Sequence, residues 1–441
     1  MTGLEDVLQQ LRDGKLAGTR RFALAAGLTE FPREIFTLDD SLEILDLSGN
    51  ALQSLPDDLH RLTRLRVLFC SNNAFTELPS SIGRCASLEM VGFKANRIAH
   101  VPAASLPPLL RWLILTDNDI AELPDELGRR PHLQKLMLAG NRLRALPNTL
   151  AGCERLELLR IAANRFDALP DWLTFLPRLA WLAFGGNPMN ASTEASALSA
   201  QGFPAIGEAH VALQEKLGEG ASGVIYRALW QRDDGNAEPL AVKRFKGAIT
   251  SDGAPRSEMA ACMAAGAHPR LIGATARIVS SAADAGSDAL AMRLIDPAFK
   301  VLAGPPSLES CTRDIYDVAV RFTPQQVLQI ASGIAAAVAQ LHARGILHGD
   351  LYAHNILREG GEALLGDFGA ASFFDADDSA SVSAFQRIEA RAFGCLLEEL
   401  VARCEVPSSA GLDALQTRCL SEIPASRPTF VQIAAALAPL R

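Results

Sequence analysis

The segment LHGDLYAHNIL, residues 347–357, places an aspartate and an asparagine five positions apart in an apolar frame. Phosphoryl transfer from ATP requires a carboxylate near the attacking hydroxyl and an amide oxygen on a divalent metal. Asp350 and Asn355 are therefore candidates for a catalytic base and a magnesium ligand. Gly349 and Tyr352 stand where basic residues would suit this chemistry, so the assignment depends on support from the rest of the chain.

A glycine-rich loop precedes this segment. Gly218, Gly220 and Gly223 form a G-x-G-x-x-G between two stretches that favour strands, which predicts a hairpin that covers phosphates rather than a strand-to-helix turn. The short apolar strand LAVK then ends in Lys243, and a D-F-G stands at 367–369. Together these motifs predict a site that binds the phosphates of a nucleotide.

In this order the motifs resemble the eukaryotic-type protein kinase family across residues 211–441. The resemblance implies an α+β two-lobed domain that binds ATP and Mg²⁺. It implies that Lys243 holds the α and β phosphates, that Asp350 orients the acceptor hydroxyl, and that Asn355 and Asp367 bind magnesium. The other residues that the resemblance places around ATP, besides the three glycines, are Ile225, Ala241, Glu258, Met292, Leu294 and Leu357.

The second half of this region departs from the family pattern. Gly349 replaces the arginine that meets a phosphorylated activation loop, and Tyr352 replaces a lysine near the γ-phosphate. No A-P-E stands between the D-F-G and Glu389, which resembles the start of a later helix. The platform for a peptide substrate is therefore expected to be short, and Arg427 is expected to lack its glutamate partner.

The favoured prediction is an ATP- and magnesium-dependent protein kinase with serine or threonine as acceptor. Two alternatives stay open. The HGDLxxxN stretch also resembles small-molecule phosphotransferases of the aminoglycoside and choline kinase type, and an ATP-binding pseudokinase scaffold would carry the same motifs without transfer. The glycine triplet, the D-F-G and the RPTF tail favour the protein kinase.

Residues 23–187 contain an internal repeat. Asparagines recur at positions 50, 73, 96, 118, 141, 164 and 187. Their frame, L-x-x-L-x-L-x-x-N-x-L-x-x-L-P, closely resembles leucine-rich repeats, with seven copies and a preceding half-repeat. The resemblance implies an α/β solenoid whose leucines stack into a continuous core. Residues 1–22 are expected to cap it as a helix, and the Ala-, Ser-, Gly- and Pro-rich residues 188–210 to form a linker or a loosely packed cap.

The strand positions between the leucines face the concave surface of such a solenoid, and here they are unusually apolar. Exposed apolar patches usually mark protein interfaces, and aromatic side chains often supply most of the binding energy. We therefore predict an unidentified protein partner or substrate on this face. The predicted contacts are Phe69, Met90, Trp112, Ile114, Met137 and Trp181. The alternative is that these side chains pack on each other or on the second domain.

Composition limits the remaining possibilities. A chain of 441 residues is too long for one ordinary core, which predicts several domains. The net charge of −8 argues against nucleic acid or an anionic membrane as a partner. No apolar stretch is typical of a signal peptide or a membrane span, and the scattered cysteines lack a C-x-x-C pair. These features predict a cytoplasmic protein.

Overall fold

A computed structural model of the chain describes residues 3–200, 202–220, 222–246, 249–279, 289–375 and 379–440. The chain divides into two compact units. The first comprises Met1–Leu159 and Asn164–Leu176, and the second comprises Arg160–Ala163 and Pro177–Arg441. The second unit therefore includes the end of the sixth repeat's strand and all of the seventh repeat's strand.

The repeats form a parallel sheet of short strands. Helix α1 (Leu4–Arg12) precedes them, and the strands are β1 (Arg21–Ala23), β2 (Ile44–Asp46), β3 (Val67–Phe69), β4 (Met90–Gly92), β5 (Trp112–Ile114), β6 (Lys135–Met137), β7 (Leu158–Arg160) and β8 (Trp181–Ala183). They hydrogen-bond in chain order, and 3₁₀ turns recur in the segments between them. This arrangement confirms the predicted leucine-rich-repeat solenoid.

The repeat frame builds this sheet through local interactions. The central strand residues Leu45, Leu68 and Leu113 are buried and pair in register with their neighbours, so the leucines form one core. The side chain of Asn118 donates to the carbonyl oxygens of Phe93 at 2.9 Å and Leu115 at 3.1 Å. Because an amide can donate and accept at once, such asparagines satisfy backbone groups in each turn.

The amino-terminal part of the second unit is a six-stranded sheet with order β10-β11-β12-β14-β13-β9. Its elements are α2 (Ala191–Leu198), β9 (Ala205–Gly207), β10 (Val211–Glu219), β11 (Gly223–Gln231), β12 (Ala237–Phe245), α3 (Pro255–Ala265), β13 (Ala274–Val279) and β14 (Ala289–Arg293). The composition of residues 188–210 predicts a linker or a loosely packed cap. In the structure they contain a helix and an edge strand that pairs with β13.

The remainder of the second unit is mainly helical. Its elements are β15 (Lys300–Val301), α4 (Pro324–Ala343), β16 (Ile346–Leu347), β17 (Ile356–Glu359), β18 (Glu362–Leu365), β19 (Ser372–Phe373), α5 (Ser379–Val401), α6 (Ala410–Cys419) and α7 (Phe430–Leu437). Helix α4 begins at a capping box in which Thr323 and Gln326 each bond the other's backbone N–H. A mixed sheet followed by helices confirms the predicted two-lobed kinase-like domain. None of the helices in the described ranges has the length and apolar character needed to cross a membrane.

Candidate active site

A cavity of about 470 Å³ lies within the second unit, between strands of the six-stranded sheet and the segments around residues 355 and 367. Its walls bring together most of the nucleotide-binding residues that the sequence predicts. Those that line it are Gly218, Ile225, Ala241, Lys243, Glu258, Met292, Asn355, Leu357 and Asp367. Apolar walls with a few convergent charged groups are typical of a cofactor or nucleotide site.

Four other predicted site residues, Asp350 among them, are not part of its lining. Gly220 and Gly223 line an adjacent cavity of about 110 Å³ together with Lys243 and Asp367. Leu294 instead lines a neighbouring cavity, which shares Arg293, Ile295, Asp296 and Phe299 with the larger one. The glycine loop and the lysine thus enclose a small polar space next to the larger one, which suits phosphates beside a base and ribose.

The cavity walls also contain residues that sequence reasoning did not name. In the larger cavity these include Leu217, Cys262, Ile272, Pro297, Phe299 and His354, and in the smaller one Thr250 and Asp252. His354 lies inside residues 347–357, hereafter called the catalytic motif, so its position in the sequence was a usable signal. The apolar residues carry no such signal, because any buried strand or helix contains residues of that kind.

Strand β12 and helix α3 position the first charged pair. The ammonium of Lys243 forms an ion pair and hydrogen bond with the carboxylate of Glu258, and both residues are buried. Burial by itself lowers the pKa of Lys243, but the charges of Glu258 and Asp367 outweigh it and raise that pKa. The lysine therefore stays cationic beside the space for phosphates.

The catalytic motif holds its own two polar residues together. The side-chain nitrogen of Asn355 donates to the backbone oxygen of Asp350 at 2.9 Å and to its carboxylate Oδ2 at 2.7 Å. Because Nδ2 is used in these bonds, Oδ1 is the Asn355 atom available to a cation. The amide of Asp350 donates in turn to Nδ1 of His348, a buried ring whose Nε2 lies 2.9 Å from the carbonyl oxygen of Gly366.

Glu389 anchors this loop from helix α5. Its carboxylate accepts hydrogen bonds from the backbone N–H of Gly349 at 2.7 Å and of His348 at 3.3 Å, and it lies 2.7 Å from Nε2 of His342. Burial raises the pKa of Glu389, but the hydrogen bond and charge of His342 outweigh it and lower that pKa. A buried carboxylate with these partners fixes the backbone on which Asp350 stands.

Gly349 has a geometric reason to be glycine. Its φ is +74°, and a Cβ built on it would lie 2.6 Å from the carbonyl oxygens of both Ala370 and Leu182. A side chain is therefore excluded by backbone conformation and by space. The arginine that the family pattern places here cannot be accommodated in this packing.

Asp367 and Asn355 form the candidate metal site. Asp367 has a φ of +54°, a conformation that aspartate tolerates better than most residues, and its Oδ1 accepts the N–H of Gly369 at 3.0 Å. Magnesium is usually held by one or two carboxylates plus waters and substrate phosphates, so one carboxylate and one amide on the same cavity fit it. Within the described ranges no cluster of three or more His, Cys, Asp or Glu side chains could hold a metal alone.

Arg160, which sequence reasoning missed, lies against Asp350, the predicted catalytic base. Its guanidinium forms an ion pair with Asp350, another with Asp252 at 2.8 Å, and a hydrogen bond to the carbonyl oxygen of Gly349 at 3.0 Å. Burial raises the pKa of Asp350, but the charge of Arg160 outweighs it and lowers that pKa. The sequence did give one indication of this role, because Arg160 is a charged residue at a repeat position that is apolar in most of the other repeats.

Two of the residues predicted to contact a partner are not exposed. Met90 is 2 % and Trp181 is 1 % exposed. Trp181 stacks on Tyr352 with ring centroids 4.2 Å apart and donates from Nε1 to the carbonyl oxygen of Leu351 at 3.1 Å. The repeat pattern predicts that Trp181 is exposed. Instead its side chain packs on the catalytic motif, because strand β8 belongs to the second unit.

The other predicted partner contacts, Phe69, Trp112, Ile114 and Met137, are half-buried. Trp112 packs within the repeats: its Nε1 lies 3.4 Å from the sulfur of Met137, and the ammonium of Lys135 lies 4.4 Å from its ring centroid. Part of this apolar row is therefore covered by its own neighbours. The remaining exposed surface is smaller than the residue types alone suggest.

Arg427 is buried near the end of the chain. It donates to the backbone carbonyl oxygens of Ser421 at 2.8 Å, Arg387 at 3.3 Å and Pro177. Burial and the nearby Arg391 lower its pKa. Within the described ranges the hydrogen-bond acceptors of Arg427 are backbone carbonyl oxygens.

Comparisons with known proteins agree with this geometry. A family described as "Protein tyrosine and serine/threonine kinase" matches residues 211–391, and two leucine-rich-repeat families match residues 108–166 and 40–89. A protein of Acanthamoeba polyphaga mimivirus, named "Putative serine/threonine-protein kinase L673", is 28% identical over 167 residues, which cover 37% of this chain and 27% of that protein. The match thus spans about a quarter of the relative's length. The chain combines leucine-rich repeats with a domain of the protein kinase family.

Proposed function

We propose that this protein is a kinase that uses ATP and Mg²⁺ to phosphorylate serine or threonine hydroxyls of a protein. The observation that carries the proposal is one cavity lined by Lys243, Asn355 and Asp367, with the Lys243–Glu258 ion pair already formed. Phosphoryl transfer needs little covalent chemistry from the protein, because positioning and charge neutralisation supply most of the catalysis. These residues supply both.

Each residue has a separate role in this proposal. Lys243 holds the α and β phosphates of ATP, and Asp350 accepts a hydrogen bond from the acceptor hydroxyl and so orients it. Asn355 and Asp367 hold Mg²⁺, which would neutralise the charge that develops on the phosphates. The glycine loop at Gly220 and Gly223 covers the phosphates and excludes water from them.

The repeats would recruit the protein substrate or partner. The half-buried residues Phe69, Trp112, Ile114 and Met137 are the part of the predicted contact surface that remains available. Tethering raises the effective concentration of a substrate at the active site without any new contact there. This would compensate for the absence of an A-P-E segment between the D-F-G and Glu389.

We place this activity in the cytoplasm. The eight cysteines are free thiols, and seven of them are buried. Buried reduced cysteines behave as small apolar residues and are typical of a reducing compartment.

The test is a phosphate-transfer assay with γ-labelled ATP and Mg²⁺ on the full chain, comparing wild type with Asp350→Ala and Asp367→Ala. We expect each substitution to lower transfer by about 10²–10⁴-fold, the usual range for losing a group that positions a proton or a charge. Asp233→Ala, at an exposed position, is the matched control and should transfer as wild type does. Chelation of Mg²⁺ should abolish transfer.

The same assay separates the two alternatives. Transfer to aminoglycosides or choline, with none to protein, would identify a small-molecule phosphotransferase. Stabilisation against thermal unfolding by Mg²⁺-ATP without any transfer would identify a pseudokinase, because a ligand that binds the folded state raises its stability. Either result would contradict the proposed protein kinase activity.

A further inference from the structure

Arg160 lies at the end of strand β7 and belongs to the same compact unit as the catalytic motif. Only 1 % of its side chain is exposed. All three of its guanidinium nitrogens have acceptors: Nε with Asp252, one terminal nitrogen with the carbonyl oxygen of Gly349, and the other with Asp350. Burying an arginine with one charge partner and no further acceptors would lower the stability of the folded state, because the guanidinium loses its hydration. Here every guanidinium nitrogen has an acceptor.

These contacts hold the catalytic carboxylate from two sides. Oδ1 of Asp350 accepts from Arg160 and Oδ2 accepts from Asn355. A carboxylate bound at both oxygens has one orientation rather than several, and each oxygen keeps a second lone pair for a substrate hydroxyl. Asp350 is thus preorganised for its proposed role before any substrate binds.

The arginine also joins this carboxylate to the wall of the phosphate cavity. Asp252, its second ion-pair partner, lines the cavity of about 110 Å³ together with Lys243 and Asp367. The loop that carries Asp252 is itself ordered, because Oγ1 of Thr250 accepts the N–H groups of Asp252 at 3.2 Å and Gly253 at 3.1 Å. Arg160 therefore bridges the acceptor side and the phosphate side of the site.

The segment 347–357 contains two histidines but no lysine or arginine. Residue 352 is a tyrosine whose ring lies against Trp181 at an interplanar angle of 6°. Gly349 has no room for a side chain. The arginine that forms an ion pair with Asp350 therefore comes from a repeat and not from this segment.

We propose that Arg160 is a positioning residue for Asp350, so that the sixth leucine-rich repeat contributes part of the kinase active site. The inference rests on the proposed function, because positioning matters only if Asp350 takes part in transfer. It adds that the repeats act in catalysis as well as in recruitment.

The test uses the full chain and two reactions that need no identified substrate, self-phosphorylation and Mg²⁺-ATP hydrolysis. We expect Arg160→Ala to lower kcat by about 10- to 100-fold, as loss of a group that orients a catalytic residue commonly does. The KM for ATP should change by less than about twofold, because Lys243 and Asp367 remain in place. Arg160→Lys should recover part of the lost kcat, since an ammonium keeps the charge but not the fork.

The controls separate catalysis from folding. Arg165→Ala changes an exposed arginine in the same repeat and should keep wild-type kcat and melting temperature. A purely structural role would lower the melting temperature of Arg160→Ala without a selective loss of kcat. If Arg160→Ala does not fold, Asp252→Asn removes one of the arginine's two ion-pair partners and should still lower kcat in both reactions.

Three results would overturn the inference. An unchanged kcat in Arg160→Ala, with wild type active, would refute the positioning role and leave the proposed function intact. A raised kcat would also refute it, and would show that Arg160 blocks Asp350 instead of holding it. Absence of both reactions in wild type, with Mg²⁺-ATP bound, would reject the proposed function and the inference together.

Discussion

Replacing Trp181 with alanine should destabilise the catalytic motif, because this side chain is buried against it. Trp181 is 1 % exposed, stacks on Tyr352 at 4.2 Å and donates to the carbonyl oxygen of Leu351 at 3.1 Å. Truncation of a buried tryptophan typically costs about 3–5 kcal/mol, of which the ring pair supplies about 0.5–1.5 kcal/mol. The free energy of local opening of the motif should fall by most of that amount.

Hydrogen–deuterium exchange, followed in peptides that cover residues 347–357, measures this local free energy directly. A fall of about 3 kcal/mol corresponds to exchange that is faster by about a hundredfold, since each 1.4 kcal/mol is a factor of ten. Phosphate transfer should decrease in parallel, because Asp350 and Asn355 lie in the same peptide. Binding of a partner to the first unit should be little affected.

Trp172→Ala is the matched control. Trp172 is half-buried in the first unit, where Nε1 donates to the side chain of Asn148 at 3.3 Å. Its substitution should leave exchange of residues 347–357 unchanged. If Trp181→Ala accelerates that exchange no more than Trp172→Ala does, the packing of β8 on the catalytic motif does not stabilise it and the reasoning is refuted.

Two further substitutions test pH dependence and backbone geometry. Burial, together with the charge of Asp314, raises the pKa of Glu399 from 4.5 to about 7. The folded state therefore binds this proton more tightly than the unfolded state, and the protein loses stability as the pH rises from about 4.5 to 7. Glu399→Gln should therefore raise stability by up to roughly 3 kcal/mol at pH 8 and by little at pH 4.5, measured by thermal unfolding; equal effects at both pH values would contradict this. Gly349→Ala should lower both stability and phosphate transfer, because it adds a clash to the strain of about 1–2 kcal/mol for a left-handed residue. Gly360 has a φ of +57° and open space where a Cβ would be, so Gly360→Ala adds the backbone strain without a clash. An equal loss of stability in the two variants would show that the clash at Gly349 is unimportant.

The sequence by itself determined the two architectures and the core of the candidate site. The repeat frame encodes each turn locally, because an asparagine such as Asn118 donates to backbone carbonyls of its own repeat and of the repeat before it. Lys243, Asp350, Asn355 and Asp367 could be predicted because the motifs that carry them keep their order and spacing in the chain. Residue types at such spacings are sufficient to predict a phosphate site before any packing is known.

Tertiary structure alone decided which groups surround that core. Arg160 and Asp350 are 190 positions apart, and Trp181 and Leu351 are 170 apart. The repeat pattern assigns both Arg160 and Trp181 to a concave face, and it contains no information on what that face meets. Packing of β8 and the end of β7 within the second unit turned predicted surface residues into neighbours of Asp350 and Leu351. Such contacts depend on the shapes of two distant segments together, which no local spacing in the chain records.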